Sequence, residues 1–417
     1  MERLKANSIV AIIVISITVN LLSISACGAQ IRAVVKREQV VQSTEQFGLD
    51  LFQKLSSETP GENCFISPVS VAIALNVAMF GASGATRAAM AKGLALASPN
   101  SDTAGAFSEL LNLLVSSDPQ VEINIANAIF VDDKFKLKPS FKQDAKLLFQ
   151  SEVRNEDFSD SQTLGKINSW AAEHTKNHIP TILTKLEPRT VAVLLNAIFF
   201  KGKWTTPFAR AATADGDFHL QDGGTKKVSL MNRTGQFSYY HEHDFQAVQL
   251  PYGTKRFQAL VFLPSTSVNL TDFQKRITAE NLNNWLSQCE QWQNSHLSLP
   301  RFHVDYGSTL NKSLQELGFG EMFSNQADFS LINTPPPELK VSQVIHKTTL
   351  DVDEEGTVAT AVTALSMMSK GLVREPPPRS FNMIVDRPFV FVIRDTQTGL
   401  LLFLGSVYKP DIKINTK

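Results

Sequence analysis

The chain has 417 residues, of which 43% are apolar and 19% charged, with 40 Lys and Arg balanced by 40 Asp and Glu. A formal net charge of zero gives no basic field for holding phosphates, and no local cationic stripe replaces it, so nucleic acid is excluded as a partner class. Three cysteines, Cys27, Cys64 and Cys289, are too few and too scattered for a disulfide scaffold or a zinc site with paired ligands, and no metal or other cofactor is expected.

Glu2, Arg3 and Lys5 precede an uncharged run from Ala6 to Gln30, dense in Ile and Val, which is the pattern of an export signal. Asn20 and the interspersed Ser and Thr residues argue against a membrane-spanning helix. The run ends in Ile24-Ser25-Ala26-Cys27-Gly28, which resembles a bacterial lipobox. Cleavage there makes residues 1–26 a signal peptide and Cys27 a lipidated first residue, anchoring the protein on the outer face of a membrane. Ordinary cleavage beyond Ala29, with Cys27 discarded and the product secreted, is the alternative.

From Ser43 the spacing of Phe47, Leu49, Leu51, Phe52 and Leu55 predicts a helix that stops at Glu58-Thr59-Pro60-Gly61. A second helix runs from Ser67 through Phe80, with Ser67-Pro68 as its start and Gly81 as its stop. Helices follow at Ser101–Ser116, Pro139–Leu148, Ser161–Asn177 and Ala279–Gln288, the last opened by Thr278. Strand-like runs lie at Val121–Val131, Val191–Phe200, Ala247–Leu250, Ala259–Leu263 and His296–Phe302. Near the C-terminus, Phe381–Val385 reads as a strand, and Phe389–Ile393 with Leu400–Val407 as a hairpin turning at Thr396-Gln397-Thr398-Gly399. No tandem repeat or long linker divides these elements, so the reading is one continuous α+β unit.

Catalytic chemistry finds little support. Gly81-Ala82-Ser83-Gly84-Ala85 lacks the second glycine of a nucleophile elbow in register and reads as a helix connection. His174 with His178, and His241-Glu242-His243-Asp244, offer ligand types without a third partner at a recognised spacing; a solvated helix face and a solvated loop explain them. Between Arg87 and Leu114 the only bases are Arg87 and Lys92, too few to hold a polyanion. Cys64 and Cys289 are expected as free thiols. Asn232-Arg233-Thr234, Asn269-Leu270-Thr271 and Asn311-Lys312-Ser313 are glycosylation sequons, unmodified if Cys27 is a bacterial anchor.

The informative stretch is Gly356–Leu365, small and β-branched with no proline and no charge. Alternation puts Thr357, Ala359, Ala361, Thr363 and Leu365 on one face, and Val358, Thr360, Val362 and Ala364 on the other. Ser366–Leu372 and Val373-Arg374-Glu375 follow, then three prolines, Pro376 to Pro378. Taken alone, this is a strand and a surface loop.

Asp353-Glu354-Glu355-Gly356-Thr357-Val358-Ala359-Thr360-Ala361 resembles the reactive-loop hinge of the serpins. Asn63-Cys64-Phe65-Ile66-Ser67-Pro68-Val69-Ser70 is similar to the family's shutter segment, and Asn196–Trp204 to its central-strand signature. Leu250-Pro251-Tyr252-Gly253, Ala327-Asp328-Phe329-Ser330 and Asp386-Arg387-Pro388-Phe389 continue in family order, and the resemblance covers residues 43–410, leaving 27–42 as a linker and 411–417 as a tail.

The resemblance implies a serpin fold of three β-sheets and eight or nine helices, with an exposed reactive-centre loop. It implies a monomeric suicide-substrate inhibitor of a serine protease and not an enzyme: the protease cleaves the loop, which then enters the main sheet as a strand. Within the hinge, Glu354 to Ala361, the inserting side chains are suitably small; Val358 and Val362 are bulkier than the usual family choice. The family interval from Gly356 places the reactive bond at Lys370–Gly371, which points to a trypsin-like target. Arg374 competes for that role, and a register slip to Met367 or Met368 would favour chymotrypsin-like or elastase-like proteases. Ser67, Ser70, Asn196 and His346 take shutter positions, and Trp204, Arg301 and Glu354 take breach positions, with an Arg301–Glu354 pair guarding the start of insertion. A non-inhibitory serpin with a binding or structural role is the alternative.

Overall fold

The computed structural model describes residues 36–96, 101–115, 118–334, 338–356 and 379–411. The stretch read as an export signal, with Cys27, and the run 357–378 that holds Thr357, Val358, Ala359, Thr360, Ala361, Lys370 and Gly371, lie outside the described residues.

Helix α1 spans 36–58 and so begins inside the stretch read as a linker. Val40 and Val41 are buried beside Phe47, Leu51 and Phe52, so the apolar stripe reaches further upstream than Ser43. Strand β1 (Cys64–Ile66) leads into α2 (Pro68–Phe80). Ser67 caps that helix from an extended conformation, its hydroxyl accepting the Ser70 N–H at 3.3 Å, and Pro68 fills the first turn. All residues from Pro68 to Met79 are buried, so α2 runs through the interior instead of lying on it.

Helix α3 (Gly84–Gly93) occupies residues whose start reads in sequence as a connection; Gly93 is needed there because a Cβ would meet the Phe319 ring. Then come α4 (Ser101–Val115), β2 (Val121–Asp132), α5 (Pro139–Phe149), β3 (Glu152–Glu156), α6 (Thr163–His174) and β4 (Ala192–Gly202). Helix α6 stops before the predicted Asn177 because Lys176 and Asn177 adopt left-handed φ values of 51° and 62°. The second half contains β5 (Ala214–His219), β6 (Thr225–His241), β7 (Phe245–Pro251), β8 (Phe257–Pro264), α7 (Leu270–Gln274), α8 (Ala279–Ser287), β9 (Glu290–Pro300), β10 (Phe302–Thr309), α9 (Asn311–Leu314), β11 (Gln343–Val352), β12 (Asn382–Ile384), β13 (Phe389–Asp395) and β14 (Leu401–Val407). The predicted strand His296–Phe302 is divided at Arg301, since Phe302 opens β10 in a different sheet.

Strands β10, β11, β4, β2 and β3 form a five-stranded sheet in that order. Both its faces are covered. Phe130, Val193, Leu195 and Ala197 pack under Ile167, Trp170 and Ala171 of α6, while Ile129, Leu194, Ile198 and Phe200 enter the larger core with α2. This is why β4 reads as an almost unbroken apolar run. The remaining strands form a nine-stranded array, β1-β14-β13-β8-β7-β6-β9-β12 with β5 on β6. The β6–β9 pairing shifts register between Gly235 and Phe237, and β5 and β12 pair on one side of the shift while β7 pairs on the other, so the array falls into two parts that share β6 and β9. With the five-stranded sheet these are the three sheets the resemblance implies, and nine α-helices occur among the described residues.

Candidate functional site

Within the five-stranded sheet, β4 and β11 are adjacent and parallel, paired from Gln343 with Val193 to Thr349 with Phe199. Asn196 is the polar residue among the core-facing positions Leu194, Ile198 and Phe200 of β4. It stands in register with Asn127 of β2 on one side and His346 of β11 on the other, which gives a polar row across three strands. The N-terminus of α2 closes over this row.

Hydrogen-bond roles in the row are fixed by one obligatory donor. The Ser67 N–H donates to His346 Nε2 at 3.1 Å, so the proton sits on Nδ1, which donates to Asn196 Oδ1 at 2.5 Å. Asn196 Nδ2 in turn donates to Asn127 Oδ1 at 2.5 Å and to the Ser70 hydroxyl. Ser67, Ser70, Asn196 and His346, named from sequence, are thus brought together and fully buried; Asn127 is an addition that only the register reveals. Burial pushes the His346 imidazole down to about 3, so the ring is neutral in the folded protein.

At the upper end of the same strands, residues 353–356 form a tight turn closed by Asp353 N–H to Gly356 O at 2.9 Å and Gly356 N–H to Asp353 O at 3.2 Å. This turn rests on the segment that leaves β4. The Trp204 N–H donates to Glu355 O at 2.9 Å, the Phe208 N–H to Glu354 O at 2.7 Å, and the Trp204 indole to Asp353 O at 2.9 Å. Gly356 has φ +130° and bridges Lys203; a Cβ there would stand 2.2 Å from Gly202 O, so the position requires glycine. Trp204 is held by stacking on Tyr252 at 4.2 Å.

Glu354 is 2% exposed. Its Oε1 accepts from Arg301 at 2.5 Å and from the Thr213 hydroxyl at 2.6 Å. Burial pushes this carboxyl up, but those hydrogen bonds outweigh it and hold the group below its ordinary value. Asp353, by contrast, is raised by burial and by the neighbouring Glu354 and Glu355 charges. Trp204, Arg301 and Glu354 are therefore assembled in one place, together with Thr213 and Arg210, which carry no local sequence signal.

A serpin (serine protease inhibitor) family model matches residues 42–410. The chain belongs to the serpin family. It is 32% identical to alpha-1-antiproteinase of Callosciurus caniceps over 89% of this chain and 89% of that protein. It is 31% identical to alpha-1-antitrypsin of Sus scrofa over 90% and 88%. Human thyroxine-binding globulin in complex with thyroxine superposes with a TM-score of 0.83 at 27% identity, covering 90% of this serpin and all of that chain. The thermophilic serpin tengpin in its native state superposes with a TM-score of 0.79 at 28% identity, covering 88% and 94%.

The other polar clusters in this serpin have separate structural partners. His174 bonds Trp170 O and Glu152, each at 2.8 Å, whereas the His178 ring stacks on Phe199 at 3.7 Å. Glu242 and Asp244, read as part of a solvated loop, both grip Arg276. Among the described residues no group of three or more His, Cys, Asp or Glu is placed to hold a metal ion, and no helix is long and apolar enough to cross a membrane. Cys64 and Cys289 are free thiols, each pushed up to about 11 by burial.

Proposed function

We propose that this serpin is an exported, monomeric, irreversible inhibitor of a trypsin-like serine protease, with Lys370–Gly371 as bait. The reading rests on one observation: the small and β-branched sequence Thr357–Leu365 follows directly on β11, which is paired in parallel with β4. Turned back, that segment runs antiparallel to both neighbours. The protease serine oxygen attacks the Lys370 carbonyl, the Gly371 amine departs, and an ester joins the two proteins. Insertion of the freed strand then drags the protease away before water cleaves the ester.

The polar row and the hinge turn take the shutter and breach roles in this mechanism. Entry of a strand between β4 and β11 parts His346 from Asn196, so their bond must break before the sheet opens fully. Glu354 with Arg301 and Thr213 holds the first residues back. Residues 1–26 direct export, and the product is either released outside the cell or held on the outer face of a membrane by a lipid on Cys27. No catalytic residue of its own is required.

Incubation with trypsin tests the reading: an SDS-stable complex should form, with a released fragment beginning at Gly371. A fragment starting elsewhere moves the bait, and cleavage that leaves trypsin active overturns inhibition. The likeness to a thyroxine-bound binding globulin supports a second reading, a carrier; cleavage without trapping would favour it.

A further inference from the structure

The hinge turn is gripped twice by the segment 204–213, and the two grips differ. Glu354 is held by two donors. Its neighbour Glu355 is also buried at 8% exposure, yet Oε1 has Arg210 Nη2 at 2.6 Å while Oε2 is buried with no partner. Arg210 stands on the short turn Arg210–Ala212 that joins the end of β4 to β5, with its own side chain mostly in solvent. Glu355 also carries the backbone carbonyl that receives the Trp204 N–H, and it precedes Gly356, the residue bridged to Lys203. A carboxylate that is buried, half satisfied and tethered by one exposed cation is a bond poised to open.

We infer that the Arg210–Glu355 ion pair is a second latch on the hinge, separate from Arg301–Glu354, and that its opening sets the rate at which the reactive loop enters the sheet. The inference rests on the loop-insertion reading above. For the strand after Gly356 to turn back between β4 and β11, residues 355 and 356 must leave Trp204 and Lys203, and the Glu355 carboxylate must leave Arg210 with them. The other charged groups on this turn are Asp353 and Glu354, and Arg301 faces it from between β9 and β10. Because Arg210 reaches in from solvent, salt weakens this latch more than it weakens a fully buried contact. Arg210 is thus a positioning residue acting through the hinge, and it touches no part of a protease.

The test is a double-mutant cycle of Arg210→Ala, Glu355→Gln and the pair, in the full chain. Insertion is followed with trypsin by the rate of complex formation, and separately after limited loop cleavage by thermolysin, by the rise of the thermal midpoint with time. Each single variant should insert about fivefold faster, the rate equivalent of the upper end for an ion pair with one partner in solvent, and the double variant should be no faster than either single. The acceleration of wild type by added salt should shrink in all three. Additive effects, or rates equal to wild type, overturn the latch. A wild type that inserts after thermolysin but never traps trypsin removes the protease reading and leaves the latch standing if the cycle holds. A wild type that inserts under neither condition removes both.

Discussion

His346 makes the stability of this serpin depend on pH in a window set by its burial. The ring ionises near 6.5 in an unfolded chain and near 3 in the folded protein, where Nε2 already accepts from Ser67. Between these values the unfolded state binds a proton that the folded state refuses, so stability is complete above about 6.5 and declines as pH falls towards 3. One group of this kind removes about 1.4 kcal/mol between pH 7.5 and 5.5. A domain of this size has an unfolding entropy of about 0.8 kcal/mol/K, which makes the expected drop in melting temperature about 2 °C. The control is His346→Gln, whose amide can accept from Ser67 and donate to Asn196 without titrating. Melting scans of both proteins at pH 7.5, 6.5 and 5.5 should show the wild type losing more than the variant by that amount. Parallel losses would refute a neutral, buried His346 as the source.

The bait and the hinge should separate under mutation: Lys370→Ala abolishes complex formation with trypsin, whereas Thr357→Arg, which must bury a guanidinium at a cost of several kcal/mol (about 3–5), converts the protein to a cleaved substrate with active protease on SDS gels. Gly356→Ala strains the positive-φ hinge and collides with Gly202 O, costing about 1–3 kcal/mol; a smaller loss in thermal unfolding would contradict the tight approach. Arg256 is the ion-pair partner of Asp395, which is fully buried, so Arg256→Ala should cost about 3–5 kcal/mol, and Arg256→Met with Asp395→Leu much less. Asn232 and Asn311 commit their amide nitrogens to Ala212 O and Ser342 O, so intact-mass spectrometry should find neither sequon glycosylated.

The parts of this fold that sequence revealed are those with one dominant physical signal. Strand β4 was legible because both its faces are buried, and α2 because Ser67-Pro68 and Gly81 bracket it. Strand β11 was not, since Gln343, His346, Lys347 and Thr348 break any apolar pattern; those polar groups are satisfied by partners far along the chain, such as Phe65 O for Thr348 at 2.7 Å. Strand β6 was missed for a related reason, having much of its length half-buried or exposed. At the site, His346, Arg301 and Trp204 were found only through family resemblance. Asn127, Thr213 and Arg210 had no signal, because their importance lies in register and in a turn after β4 that periodicity cannot place.

The parallel junction of β4 with β11 has a thermodynamic meaning as well as a positional one. Parallel ladders are the less stable kind per residue. A strand received there replaces one parallel ladder by two antiparallel ones, so the sheet gains both in the number of its hydrogen bonds and in their quality. If the loop enters there as proposed, the native arrangement is a kinetic holding state whose deepest alternative is reached without unfolding. Heat resistance should rise after loop cleavage, so the cut protein should outlast the intact one.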